Sequence, residues 1–244
     1  MLSKNQIKLI TSLKQKKYRL QHGLFVVEGI KTINELLQSS WALDTLYTTE
    51  LFNIDAKKEN LISEAELKRI SFLKTPNKAL AIFKIPNPKP IDFNKLIVAL
   101  DDIRDPGNLG TIIRLCDWFG VKDLVCSQET VDCFNPKVIQ ATMGSITRVN
   151  VTYLDLAEFL KTKALMSYGT FMEGTSVYNI ELTNKGIVIL GNEANGISKN
   201  IEDLVNKKIS IPRFGDLQAT ESLNVATATA ILLSEFKRRK PTET

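Results

Sequence analysis

Histidine is almost absent from this sequence: His22 is the only one among 244 residues. A histidine-rich metal site and an intrachain Ser-His-Asp triad are thereby excluded, because both need imidazole at defined positions. Cysteine is scarce too. Cys116, Cys126 and Cys133 form an odd set at irregular spacing, which argues against a disulfide framework and a Cys-x-x-Cys zinc site and suits buried thiols in a reducing cytosol. No apolar run approaches the roughly 18 residues of a membrane span. Residues 1–19 are basic but lack the apolar stretch and small-residue cleavage site of a signal peptide. Phosphate-binding signatures are missing as well, since the glycines at 107 and 110 do not form G-x-G-x-x-G and no G-K-[ST] follows them. The chain reads as a soluble cytoplasmic protein without a metal site.

What is present is an ordinary folded composition, 43% apolar and 24% charged, with an uneven charge distribution. Residues 1–90 carry 15 Lys/Arg against 8 Asp/Glu, a net +7, while residues 91–244 carry 17 against 19, a net −2. The first 27 residues contain no acid. Lys14, Lys16, Lys17 and Arg19 are therefore candidate phosphate contacts, since neutralising phosphates releases counterions. A solvated charged helix explains the same run equally well.

Three alternating prolines, Pro86, Pro88 and Pro90, predict a stiff connector. They divide the chain into a small α/β domain over residues 1–85, a linker over 86–90 and a larger domain over 91–244. In the first, a helix is expected over 3–17, strands over 24–27, 43–48 and 79–84, and helices over 29–38 and from Ser63, whose spacing to Glu66 suits a capping box. In the second, strands are expected over 96–100, 123–127, 149–153, 164–168, 186–190 and 208–211. Helices lie between them over 109–119, 136–145, 156–163, 199–205 and 221–239. Alternation of this kind implies a parallel sheet covered on both faces, with a ligand at the carboxyl ends of its strands.

Three polar, glycine-bearing segments follow such strands. The first, Asp105-Pro106-Gly107-Asn108-Leu109-Gly110, is followed by Arg114; Asn108 can turn the chain while Arg114 reaches back, or the two can be a helix cap and a surface arginine. The second, Leu190-Gly191-Asn192-Glu193-Ala194-Asn195-Gly196-Ile197, places Glu193 at a strand end, as a functional or a capping acid, and Gly196 where a positive φ is permitted. The third joins Ile211-Pro212 to Ser222-Leu223-Asn224-Val225-Ala226, and Asn224 there needs a hydrogen-bonding partner, from a ligand or a neighbouring loop.

D-P-x-N-x-G-x-x-x-R, L-G-x-E-x-x-G-I and I-P…S-L-N-V-A, in this order, resemble the three motifs of the SpoU (TrmH-type) RNA 2′-O-methyltransferases, of the SPOUT superfamily. The resemblance covers residues 91–244, and the segment Gly23-Leu24-Phe25-Val26-Val27-Glu28-Gly29 looks like the start of that family's substrate-binding domain. It implies a parallel-sheet domain with a deep trefoil knot, an L30e-like N-terminal α/β domain, bound S-adenosyl-L-methionine and a homodimer built on the catalytic domain. Carried over residue by residue, Gly191, Ile211, Leu223 and, less directly, Thr170 fall where the family binds the cofactor. Asn108, Arg114, Glu193, Ser222 and Asn224 fall on the polar positions of its active site. The segment between Pro212 and Ser222 is longer than the family's usual one, and Arg213 replaces the usual methionine.

The implied reaction is attack of a ribose 2′-hydroxyl of structured RNA on a sulfonium methyl group, with ribosomal RNA favoured over transfer RNA. Residues 91–244 hold no histidine, and the resemblance implies that Arg114 activates the hydroxyl, helped by an RNA phosphate as proton acceptor; a permanently cationic guanidinium suits charge stabilisation better than proton abstraction. Two alternatives stand beside it: a non-catalytic RNA-binding protein that retains the fold, and an unrelated α/β enzyme acting on a nucleotide or small metabolite.

Overall fold

The computed structural model describes residues 1–162, 164–215 and 222–238. The chain divides into two compact units, one formed by Met1–Asn87 with Asp132–Thr147, the other by Pro88–Val131 with the chain from Arg148 onward.

In the first unit Ser3 opens α1 (Lys4–Ser12) through a capping box with Gln6. The single helix expected over 3–17 is in fact two. The chain breaks after Ser12, and α2 (Lys16–His22) restarts from Gln15 in an extended conformation before closing on Gly23 at φ 64°. The carbonyls of Leu13 and Lys14, which a continuous helix would pair with later amides, are taken instead by the Arg19 guanidinium at 2.9 and 2.8 Å. There follow β1 (Leu24–Glu28), α3 (Ile30–Leu37), β2 (Leu43–Thr48), β3 (Glu59–Leu61), α4 (Glu64–Ile70) and β4 (Ala79–Lys84). The sheet order is β1-β4-β2-β3. Strand β4 runs antiparallel to β1 and β2, and β3 parallel to β2. The three-residue β3, two of whose side chains are polar, carries too little pattern to be read from sequence. The expected cap of α4 is present, with Ser63 and Glu66 paired reciprocally.

The second unit contains β5 (Leu96–Leu100), α5 (Pro106–Trp118) and β6 (Asp123–Cys126). The chain then enters the first unit, where α6 (Pro136–Thr142) lies, before returning as β7 (Asn150–Tyr153), α7 (Leu156–Thr162), β8 (Ser167–Ser176), β9 (Gly186–Leu190), α8 (Lys199–Glu202), β10 (Lys207–Ser210) and α9 (Val225–Arg238). The six strands are parallel in the order β10-β8-β9-β5-β6-β7. Central strands β5 and β9 are buried along their whole length, which is why both read as unbroken apolar runs. Strand β8 departs from the expected 164–168: it starts at Ser167 and extends to Ser176. Its far half pairs with β10 only after a register shift that matches Ile209 to Thr175 directly after Lys208 to Gly169. Thr170 therefore lies inside a strand. Lys163, Glu221, Arg239 and Lys240, at ends of expected helices or in the basic tail, lie outside the described residues, as do residues 216–220 of the long third segment.

The segment Asp132–Thr147 corrects one expectation. Arg19 is not presented to solvent: it is 2% exposed, donating from Nε and Nη2 to Asp132 Oδ2 at 2.9 and 2.5 Å. Two residues on, Phe134 packs against Phe25 and Trp41, with ring centroids 4.9 and 6.1 Å apart. A guanidinium held by one carboxylate and two backbone carbonyls has its donors occupied internally, so Arg19 is a structural ion pair and not a phosphate contact. Lys14, Lys16 and Lys17 remain exposed.

No described helix is long and apolar enough to cross a membrane. All three cysteines are buried and in no disulfide, and burial pushes the Cys116 thiol up to about 12, far from any nucleophilic role at neutral pH.

Candidate active site

The three polar segments converge at the carboxyl ends of β5, β9 and β10. After β5 the chain turns through Asp101 and Asp102, the latter at φ 58°, and Asp105 caps α5 by accepting from the Asn108 amide at 2.8 Å. The cap is thus Asp105, and Asn108 sits in the first turn of the helix with its side chain free for other work. Asn108 Nδ2 donates to Glu193 Oε1 at 2.6 Å, and Asn108 Oδ1 accepts from Asn224 Nδ2 at 2.9 Å. One residue from each segment thereby joins a single relay, Asn224 to Asn108 to Glu193. Glu193 is exposed, and its second oxygen makes no hydrogen bond among the described residues.

Asn224 also caps α9, its Oδ1 accepting from the amides of Ala226 and Thr227 at 3.0 and 3.3 Å. Its amide group is left to reach Asn108, so the structural and site readings of this residue hold together.

The loop after β9 is shaped by Gly191 and Gly196. Asn192 and Gly196 exchange both backbone hydrogen bonds, at 3.0 and 2.8 Å, and Gly196 adopts φ 68°, as its sequence position suggested. A Cβ at Gly191 would overlap the Gly196–Ile197 peptide, so only glycine allows the loop to fold back this closely.

Sequence reasoning missed the residues that lash this loop to its neighbour. Asn192 Nδ2 donates to the Asp102 carbonyl at 2.7 Å, and the nearly buried Asp101 carboxylate accepts from the Ser198 amide and hydroxyl at 2.7 and 2.6 Å. The available signal was a pair of aspartates directly after a wholly apolar strand, where an unpaired carboxylate would be costly.

A cavity of about 1260 Å³ opens beside the relay. Thr170, Gly191, Ile211 and Leu223, the four candidate cofactor positions, all line it, together with Glu193 and Ser222. Its inner wall is apolar, with Ile197, Ile209 and Leu232 buried. An apolar wall with a few polar groups at its rim is the usual make-up of a small-molecule site, and the volume suffices for a nucleoside-sized ligand with an amino-acid tail. The residues present therefore fit the cofactor that the sequence resemblance implies.

Arg114 is the expected site residue that the structure does not bring into this cluster. Six residues beyond Asn108 on α5, it lies about 240° further around the helix. It is exposed and makes no hydrogen bond or ion pair among the described residues.

Known proteins resemble this chain along most of its length. The model of the SpoU rRNA methylase family matches residues 95–234, and that of the MRM3-like substrate binding domain matches residues 4–81. A Bacillus subtilis 23S rRNA (guanosine(2553)-2′-O)-methyltransferase is 29% identical over 96% of this chain and 97% of its own. A candidate RNA methyltransferase of the TrmH family from Porphyromonas gingivalis superposes with a TM-score of 0.89 at 36% identity, covering 98% of this chain and all of the other. An rRNA methyltransferase from Sinorhizobium meliloti, crystallised with S-adenosylmethionine bound, superposes at 0.87 with 30% identity over 98% of this chain and 96% of its own.

Proposed function

The chain belongs to the SpoU rRNA methylase family, and on that premise we propose the following account of its reaction. It is an S-adenosylmethionine-dependent RNA methyltransferase that modifies a ribose 2′-hydroxyl, with ribosomal RNA as the favoured substrate. The observation that carries this reading is the Asn224–Asn108–Glu193 relay at the rim of the cavity.

S-adenosylmethionine bound in the cavity supplies an electrophilic methyl carbon. Gly191, Ile211, Leu223 and Thr170 would hold it, and the buried apolar wall keeps water from competing with the RNA hydroxyl. Asn108 fixes one oxygen of Glu193, leaving the other to accept from the ribose and set the direction of its lone pair. Ser222 lines the same cavity, and Asn224 holds Asn108 in place. Arg114, which a single chain keeps outside this cluster, would stabilise negative charge forming on the 2′-oxygen when supplied by a second copy, and an RNA phosphate takes the proton.

The deep trefoil knot, the homodimer and a cytoplasmic location belong to the same reading. Support for a dimer through the catalytic unit comes from α5, where Thr111, Leu115 and Trp118 recur on one partly open face and Trp118 is 84% exposed. Arg114, four residues before Trp118, would stand at the edge of such an interface.

The test is methyl transfer to total RNA from a strain lacking this gene. Purified protein with methyl-labelled S-adenosylmethionine should restore one class of 2′-O-methylated ribose, and S-adenosylhomocysteine should bind in titration calorimetry. Binding without transfer would leave a non-catalytic RNA-binding protein; failure of both would overturn the cofactor assignment as well.

RNA capture is assigned to the basic first unit, through Lys14, Lys16 and Lys17. Replacing all three by alanine should weaken RNA binding and lower the slope of log affinity against log salt by about 2–3. An unchanged slope would make them a solvated helix face.

A further inference from the structure

Beside the relay the cavity rim carries an aromatic surface that the methyl-transfer chemistry does not use. Phe214, in the segment after β10, lines the cavity and is 82% exposed. Tyr178, in the connection after β8, backs it at a ring-centroid distance of 6.4 Å and an interplanar angle of 30°. Isolated exposed apolar side chains are common and need no explanation. A tilted aromatic pair exposed to solvent, lining the same cavity as Glu193 through Phe214, is a different case. Tyr178 lies beside the Phe214 ring, most of which is exposed.

We propose that Phe214, backed by Tyr178, is a stacking platform for an unpaired base of the RNA at or next to the methylated ribose. The proposal rests on the RNA-methyltransferase reading above. A nucleotide whose 2′-oxygen must reach Glu193 at the rim of a pocket leaves its place in a base stack, and the lost stacking has to be replaced by the protein. An exposed phenyl ring supplies this without reading base identity, because every base has a π face. The cofactor's own base is the poorer candidate. The cavity offers it a buried wall at Ile197, Ile209 and Leu232, whereas Phe214 stands at the solvent edge.

The experiment is initial-rate methylation with total RNA from the deletion strain as the varied substrate, using the full chain. Phe214→Ala should raise the RNA KM about tenfold, a loss of about 1.4 kcal/mol, within the range for one base–aromatic stack. It should leave kcat, S-adenosylhomocysteine affinity and solution mass unchanged. Phe214→Trp and Phe214→Tyr should restore KM, and Phe214→Leu, equally apolar but without a π face, should not. Rescue by leucine, or an unchanged KM in Phe214→Ala, overturns the stacking role. A fall in S-adenosylhomocysteine affinity would instead assign Phe214 to the cofactor cavity, and a changed solution mass would assign it to contact with a second copy; either overturns the proposal. A wild-type chain that transfers no methyl group to this RNA overturns the underlying reading, separately from any Phe214 result.

Discussion

Arg114→Ala is expected to lower turnover by about 100- to 1000-fold, the usual cost of removing a donor aimed at developing negative charge. Cofactor affinity should not change, because Arg114 does not line the cavity. Nor should stability change by more than about 0.5 kcal/mol, since the side chain is exposed and without a hydrogen bond or ion pair among the described residues. Arg114→Lys should fare little better than alanine. An ammonium keeps the charge but lacks the planar fork that can hold a ribose oxygen and a phosphate together. Turnover, S-adenosylhomocysteine affinity and melting temperature, measured on the same preparations, separate the possibilities. Retained turnover would make Arg114 a surface arginine and leave the relay to act without it. A joint loss of all three would mean that it supports the fold.

The second large effect concerns Arg19. Truncation to alanine removes both bonds to Asp132 and leaves the carbonyls of Leu13 and Lys14 without their partner. Breaking a buried pair from one side typically costs about 3–5 kcal/mol, because the remaining charge is still buried. The loss should fall on the first unit. Trp41 reports on it, packing against Phe25 and Phe134 with centroids 5.8 and 6.1 Å away. In denaturant titrations followed by tryptophan fluorescence, the Trp41 transition should move to lower concentration. Trp118, 84% exposed, contributes little to such a signal. Replacing the pair together, with Arg19→Met and Asp132→Leu, should recover part of the loss, since no uncompensated charge remains. If Arg19→Ala instead left the transition in place and lowered the salt slope of RNA binding, Arg19 would be a phosphate contact after all.

The Arg19 case shows why composition could suggest a basic arm but could not sort its members. Lys14, Lys16, Lys17 and Arg19 are alike in sequence: basic, close together and far from any acid. What separates them is a carboxylate 113 positions away, in a segment that the linear order places after the proline linker and the fold returns to the first unit. The same side chain meets the break between α1 and α2: residues 3–17 favour one helix, and the Leu13 and Lys14 carbonyls at the break are taken by Arg19.

The sequence by itself determined the α/β class, the order of buried strands and which loops are candidates for the chemistry. Fully buried parallel strands must be continuous apolar runs, and loops at their carboxyl ends are the polar, glycine-bearing segments between such runs. Asn108, Glu193 and Asn224 stood out in those segments as polar candidates, and the family resemblance implied their place in a site. That these side chains join in one relay was settled by the tertiary structure, which sets residues 108, 193 and 224 beside one another by pairing β5 with β9 and by the path of α9. Hydrogen bonds act over about 3 Å in space, and local sequence carries no record of such distances. The same limit hid Asn192 and Asp101, whose partners lie 90 and 97 residues away. It also hid the exposure of Phe214, because exposure depends on what the rest of the chain fails to cover.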